Sequence, residues 1–169
     1  RVLALASLPL ACVSCGDSGS GGYCGPQDSW AAEYREFEED VLLLTNEARA
    51  AGADCGSQGI KPPVGPLVMQ EQLRCAARIH SRDMSLNDYF DHTSQNGDSP
   101  WDRMEKAGYS YFAAGENIAQ GYPTPEDVVN GWLASDGHCN NIMGSEFTEI
   151  GVGYYEGHYW TQVFGSPAN

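Results

Sequence analysis

Three side chains that could act together on a ligand or a metal ion are spread along the middle of the chain: His92, Glu116 and His138. Glu116 lies in a mostly apolar segment, 115–121, where a buried carboxylate costs several kcal/mol unless a cation, a metal ion or several donors meet it. Both imidazoles lie in polar stretches, and we expect them to meet this carboxylate. Two imidazoles and a carboxylate with an open fourth position can bind Zn²⁺, whereas a His–Glu hydrogen bond alone would only tie a loop to a strand.

The elements that must position these groups begin with four helices. Apolar residues spaced three and four apart predict helices over 33–51 and 69–86. A serine or threonine followed by proline begins two shorter helices at Ser99 and Thr124. His80 falls on the apolar stripe of the second helix, which is typical of a core histidine bonded to backbone. A short turn is expected to follow the fourth helix.

Three strands complete the predicted fold. Alternating apolar residues predict strands over 113–119, 149–155 and 159–164, with a turn between the last two. Helices before and between the strands imply an α/β (α+β) fold, a three-layer α/β/α sandwich around a small antiparallel sheet. Side-chain alternation would place Glu116 and Ile118 on the same face of that sheet.

The charge balance excludes some classes of partner. Nine basic and 23 acidic residues give a formal net charge of −14, and no basic cluster interrupts the sequence. Nucleic acids and anionic membrane surfaces require Lys and Arg to neutralise phosphate. We therefore expect no nucleic-acid partner, and contact with a membrane only through an N-terminal lipid anchor. The length of 169 residues suits one domain, which we expect to be monomeric.

The N-terminal residues are predicted to precede the folded domain. In residues 1–15 an apolar run follows a basic residue and is too short to cross a bilayer, which is typical of a signal-peptide remnant. Small residues precede Cys12 and Cys15, so either could be the lipidated cysteine of a lipoprotein. The prediction is a secreted protein or a cell-envelope lipoprotein.

Residues 16–29 are rich in Gly and Ser and predict a flexible tether. Cys24 lies in this tether without an obvious partner. The folded domain is predicted over residues 30–169.

Several segments resemble, in their order and spacing, the CAP or SCP-like superfamily of cysteine-rich secretory, antigen-5 and pathogenesis-related proteins in its bacterial form. The resemblance spans roughly residues 38–166. It implies the three-layer sandwich, an extracellular location, and a cleft of two histidines and two acidic residues that binds a divalent metal in some members. The segments that carry it are His92-Thr93-Ser94, Gly115-Glu116-Asn117-Ile118-Ala119, Gly131-Trp132, Gly137-His138-Cys139-Asn140-Asn141-Ile142-Met143, Glu149-Ile150-Gly151-Val152-Gly153 and Tyr159-Trp160-Thr161-Gln162-Val163-Phe164-Gly165.

Only half of the family's cleft is matched residue by residue. His92 takes the place of the first family histidine, and Glu116 that of the first glutamate. Ser135 stands where the family has its second glutamate, and Tyr159 where it has its second histidine. The other half of the cleft therefore has to come from other residues.

His138 is the expected substitute for the missing histidine. His158 is displaced by one residue from the family position, so strand alternation would turn it to the opposite face. Asn117 is expected to bond the backbone of the adjacent loop or to donate into the cleft. The expected ligand-binding residues are His92, Glu116, Asn117, Ser135, His138 and Tyr159, and the expected metal ligands are His92, Glu116 and His138.

The cysteines allow more than one pairing. From the residues alone, Cys55 could pair with Cys139 or with Cys75. The resemblance to bacterial members favours Cys55–Cys139. That bridge would tie the end of the first helix to the segment that carries His138.

Three functions remain open. The resemblance favours an exported, non-catalytic binding module whose cleft takes a divalent metal such as zinc, an apolar ligand such as a lipid or sterol, or both. The first alternative is a metal-dependent hydrolase or peptidase with His92, Glu116 and His138 as catalytic candidates, although the chain carries no established hydrolase motif. The second alternative is an interaction domain for an extracellular protein, in which the His–Glu pair is purely structural.

Overall fold

The computed structural model describes residues 22–168, and all structural statements concern this part of the chain. Its α-helices are α1 (Ala32–Ala51), α2 (Glu71–Leu86), α3 (Pro100–Lys106), α4 (Pro125–Leu133) and α5 (Asp136–Ile142). Its strands are β1 (Ala53–Asp54), β2 (Ile60–Lys61), β3 (Val68–Met69), β4 (Tyr111–Gln120), β5 (Glu149–Tyr155) and β6 (Tyr159–Pro167).

The main sheet has four strands in the order β3, β5, β6, β4. The β5–β6 and β6–β4 pairs are antiparallel, whereas the two-residue strand β3 runs parallel to β5. α2 and α3 cover one face of this sheet, and α1, α4 and α5 cover the other. The predicted three-layer α/β/α sandwich is confirmed, although the parallel strand β3 and the β1–β2 hairpin were not predicted.

The helix ends follow the capping residues of the sequence. Ser99 and Asp102 form a reciprocal capping box at the start of α3, and the Thr124 side chain accepts from the backbone N–H of Asp127. Gly52 ends α1 at a φ of +78°, a conformation that suits glycine. The turn predicted after the fourth helix is wrong: Asp136–Ile142 form the helix α5 instead.

Glycines on β5 allow α2 to lie directly against the sheet. A Cβ at Gly151 would lie 2.0 Å from the carbonyl carbon of Leu73, and one at Gly153 would lie 2.4 Å from that of Ala77. No side chain fits into either space. This close approach fixes the height of α2 above the sheet, and with it the position of the adjoining 87–99 loop.

Two disulfide bonds cross-link residues 22–168. The predicted Cys55–Cys139 bond is present, and it links the loop after α1 to α5. Cys75 does not compete for Cys55, because it is bonded to Cys24. Disulfides of this kind are typical of proteins in oxidising, extracytoplasmic compartments.

The Cys24–Cys75 bond attaches the last part of the predicted tether to α2, and Gly25–Ser29 form a 3-10 helix there. Trp30 then donates its indole N–H to the buried carboxylate of Glu38 at 2.9 Å. The predicted signal segment 1–15 and residues 16–21 of the tether lie outside the described residues. Within residues 22–168, no helix is both long enough and apolar enough to span a bilayer.

Candidate functional site

Glu116 is buried in β4 and faces the α2–α3 layer. Its side chain is 2% exposed and meets a donor at each oxygen. Oε1 lies 2.8 Å from Nδ1 of His92, and Oε2 accepts a hydrogen bond from Nη2 of Arg103 at 2.7 Å. The predicted meeting of His92 with Glu116 is therefore confirmed. The stronger partner is a guanidinium that the sequence analysis did not identify.

Arg103 holds the loop before α3 against β4. Its side chain is 1% exposed, and Nη1 donates to the backbone oxygen of His92, the hydroxyl of Ser94 and the backbone oxygen of Asp98 at 2.9, 3.0 and 3.1 Å. The buried guanidinium of Arg103 thus pairs with one carboxylate and donates hydrogen bonds to three oxygens of the 87–99 loop. We call His92, Ser94, Arg103 and Glu116 the Glu116 cluster.

His80 supports the same loop from α2. Nε2 of its ring lies 2.9 Å from the backbone oxygen of Asp91. Burial lowers the pKa of His80 to about 4. The imidazole is therefore neutral at physiological pH, and Nε2–H donates to that oxygen. The prediction of a core histidine bonded to backbone is confirmed.

The pKa of His92 is raised above its ordinary value, chiefly by the hydrogen bond to Glu116. Its ring is 49% exposed, so the imidazole covers the buried carboxylate on the solvent side. The charged form of His92 is the one that this contact favours.

Glu116 is not placed to serve as a metal ligand in the Glu116 cluster. Both oxygens of Glu116 are engaged, and Arg103 already supplies the positive charge that the buried carboxylate needs. Among residues 22–168, no group of three or more His, Cys, Asp or Glu side chains is arranged to hold a metal ion. The structure thus does not bring the expected ligands His92, Glu116 and His138 into a three-ligand site.

A pocket of about 370 Å³ lies beside the cluster, at the exposed edge of the sheet between β4 and α4. We call it the Trp132 pocket. Its walls are mostly apolar, and three polar side chains interrupt them. The lining residues are Phe90, Ile118, Ala119, Gln120, Tyr122, Gly131, Trp132, Ser135 and His138.

Two of the expected ligand-binding residues line this pocket. Ser135 occupies the N-cap position of α5, yet its hydroxyl does not cap the helix, unlike those of Ser99 and Thr124. The His138 ring makes no hydrogen bond to the described part of the chain, and burial, followed by the charge of His92, lowers its pKa. The pocket wall thus carries a hydroxyl and a neutral imidazole that are free to bond a ligand.

Two other candidates take structural positions. Tyr159 is buried, and its hydroxyl accepts a hydrogen bond from Gln120 at 2.7 Å behind the pocket wall. Asn117 faces the opposite side of the sheet from Glu116, donates to the backbone oxygen of His138 at 3.2 Å and accepts from Asn141 at 2.9 Å. Asn117 therefore positions α5 and, with it, the His138 imidazole that faces the pocket. It does not itself face a ligand.

His158 lies outside the cleft, as predicted, but strand alternation is not the reason, because His158 precedes β6. It occupies the β5–β6 turn with a φ of +60°. Its Nδ1 lies 3.2 Å from the hydroxyl of Tyr154, whose ring packs in the core on the α1 side of the sheet.

Sequence reasoning missed Arg103 and the aromatic walls of the pocket. A signal for Arg103 was available, because a buried glutamate requires a cation and this arginine lies between His92 and Glu116 in the chain. No sequence signal distinguishes Phe90, Tyr122 and Trp132 from core aromatics. Only the fold places them around one space.

The sandwich fold agrees with what comparison with known proteins shows. Residues 42–164 match the family model of the cysteine-rich secretory protein family, CAP. This match covers most of the chain, and the protein therefore belongs to the CAP family.

The relatives are mostly bacterial. The uncharacterized protein YkwD of Bacillus subtilis is 47% identical over 129 residues, which are 76% of this chain and 46% of that protein. An extracellular protein containing an SCP domain from Bacillus anthracis has a structure with a TM-score of 0.69 and 30% identity, covering 78% of this chain and 41% of its own.

An outer surface protein of Borrelia burgdorferi shares the fold, with a TM-score of 0.62 at 22% identity over 77% of this chain and 94% of its own. The chain spans less than half the length of the curated relatives it matches, 46% of YkwD and 36% of the B. subtilis membrane protein YlbC.

Proposed function

We propose that this CAP domain is an extracytoplasmic, non-catalytic binding module that holds a small, mainly apolar ligand in the Trp132 pocket. The observation that carries the proposal is the composition of the pocket wall. Aromatic and aliphatic side chains surround the space, and Ser135 and His138 offer polar atoms that bond no described residue. A concave apolar site with a few convergent polar groups is the usual form of a small-molecule site.

The Glu116 cluster has a supporting role in this proposal. It ties the loop that carries Phe90 and His92 to β4, which carries Ile118 on the pocket wall. The His–Glu pair is therefore structural, as the interaction-domain alternative assumed for it. No observation favours the metal-dependent hydrolase, and both oxygens of Glu116 are already hydrogen-bonded, one to His92 and one to Arg103.

The proposed location rests on two observations. The domain contains two disulfide bonds, and the related B. anthracis protein is an extracellular protein. Secretion and attachment to the cell envelope by a lipid are both compatible with this location.

The pocket can be tested with N-phenyl-1-naphthylamine, an uncharged apolar dye whose fluorescence rises on burial. We expect saturable binding by the wild-type domain and at least tenfold weaker binding by Phe90→Ala, because Phe90 is a wall of the pocket and is already 47% exposed. Phe112→Ala is the matched control, since Phe112 is 88% exposed and lies elsewhere. Equal binding by wild type and Phe90→Ala would overturn the assignment of the pocket.

A further inference from the structure

The Trp132 pocket contains no cationic side chain. Among its lining residues only His138 and Tyr122 can titrate, and burial favours the neutral form of His138. Five of the described Lys and Arg side chains are engaged elsewhere in the fold. Arg103 pairs with Glu116, Lys106 with Asp98, Arg74 and Arg78 with Glu38, and Arg49 donates to the backbone oxygens of Gly65, Ile142, Gly144 and Phe147.

The polar atoms of the pocket include both donors and acceptors. The Ser135 hydroxyl and the neutral His138 ring can each donate or accept a hydrogen bond. The Gln120 amide donates one hydrogen bond to Tyr159 at 2.7 Å, which leaves its second N–H as a donor and its oxygen as an acceptor. A ligand group that both donates and accepts hydrogen bonds can therefore bond any of the three.

A hydroxyl can use both the donors and the acceptors of the pocket without bringing a charge into it, whereas a carboxylate cannot. A carboxylate only accepts hydrogen bonds, so it can bond the donors of the pocket but leaves its acceptors unused. Burial of its charge without a cation costs several kcal/mol, and the formal net charge of −14 opposes its approach.

We propose that the Trp132 pocket selects an aliphatic alcohol over the fatty acid of the same chain length. This inference rests on the proposed function, and it adds the chemical class of the ligand's head group. A volume of about 370 Å³ is at the lower end of the range for small-molecule pockets, about 300–1,000 Å³. A chain of medium length therefore suits it better than a long one.

The test is displacement of N-phenyl-1-naphthylamine by 1-decanol and by decanoate at pH 8, where decanoate is ionised and His138 is neutral. We expect half-displacement by 1-decanol at a concentration at least tenfold lower than by decanoate. Ser135→Ala should raise the concentration of 1-decanol that is required and leave that of decanoate unchanged.

A charge introduced into the pocket sharpens the test. Gln120→Arg places a guanidinium at an exposed position of the pocket wall, and we expect it to remove or reverse the preference for the alcohol. Phe112→Arg adds the same charge at an exposed position away from the pocket, and the preference should persist.

The outcomes separate the two proposals. If the dye binds in a Phe90-dependent manner and decanoate displaces it as well as 1-decanol does, the head-group inference is overturned and the pocket assignment stands. If the dye does not bind at all, both are overturned.

Discussion

The Glu116 cluster and the Trp132 pocket lie side by side along β4, and each contains a partly exposed histidine. In the cluster, His92 bonds a buried carboxylate that also bonds Arg103, and the pKa of His92 is raised. In the pocket, the His138 ring has no protein partner among the described residues, and its pKa is lowered. In the cluster, the carboxylate of Glu116 has a partner at each oxygen within the protein, whereas the pocket has polar atoms without a described partner.

This difference shows that residue types typical of a functional site are not always free to bind a ligand. A histidine beside a glutamate is the more recognisable pair, yet both oxygens of Glu116 and Nδ1 of His92 are used to hold a loop. The serine and histidine of the pocket belong to no known catalytic motif. They are free because the Ser135 hydroxyl leaves its helix uncapped and the Asn117 amide holds α5 by its backbone.

Loss of the cluster's cation should have the largest effect on stability. Arg103→Met leaves Glu116 buried without a cation and removes four hydrogen bonds. We expect the free energy of unfolding in urea to fall by about 3–5 kcal/mol. Lys106→Met on the same helix is the control, because its partly exposed pair with Asp98 should contribute at most about 1 kcal/mol. Equal losses in the two variants would show that Arg103 does not complete a closed cluster.

Removal of the Cys55–Cys139 disulfide bond should have the second-largest effect on stability. Cys55→Ser combined with Cys139→Ser opens a link across a sequence separation of 84 residues, and we expect a loss of about 2–4 kcal/mol in the free energy of unfolding. Since Cys139 adjoins His138, dye binding to the variant should weaken even at temperatures where it stays folded. Unchanged dye affinity would mean that the bridge does not position the pocket.

The two histidines should give pH effects of opposite sign. The folded-state pKa of His92 is raised above its ordinary 6.5, so its contribution to stability is complete below pH 6.5 and is lost as the pH rises through the folded pKa. The folded-state pKa of His138 is lowered, so its neutral form supports the fold above pH 6.5 and this support is lost as the pH falls through the folded pKa.

Thermal unfolding from pH 5 to pH 9 checks this. The destabilisation caused by His92→Gln should be larger at pH 5.5 than at pH 8.5, by at most about 1 kcal/mol because the ring is half exposed. His138→Gln should instead make the protein relatively more stable at pH 5.5. Parallel profiles for the two variants would contradict the assigned environments.

Zinc should have the smallest effect. Because Arg103 holds one oxygen of Glu116 and His92 the other, calorimetric titration with Zn²⁺ should give the same heats for wild type and His92→Ala. Stoichiometric zinc binding that His92→Ala abolishes would show that the cluster opens to accept a metal ion.

Much of the fold could be predicted from local signals. The Ser99 and Thr124 caps and Gly52 set the ends of helices, and the alternation after Gly115 and Glu149 set the strands. These signals act between neighbours in the chain, so the sequence displays them directly. The strand β3 could not be found in this way, because two residues that pair in parallel with β5 carry no pattern of their own.

The site was predictable only in part for a related reason. His92 and Glu116 were found together because the apolar surroundings of the carboxylate demanded a partner. The choice of Arg103 over His138 as the second partner depends on which layer each helix occupies, and no local pattern encodes that. The Cys24–Cys75 bond likewise depends on where the N-terminal segment crosses α2.

The central claim is that a ligand occupies the Trp132 pocket and leaves the Glu116 cluster undisturbed. Its most direct test is a titration of the ¹⁵N-labelled domain with 1-decanol, followed by amide and indole chemical shifts. The account predicts the largest shifts at residues 118–120 and 131–138, including the indole N–H of Trp132, with Ser94 and Arg103 unchanged. Shifts centred on His92, Ser94 and Arg103 with an unperturbed pocket would contradict it.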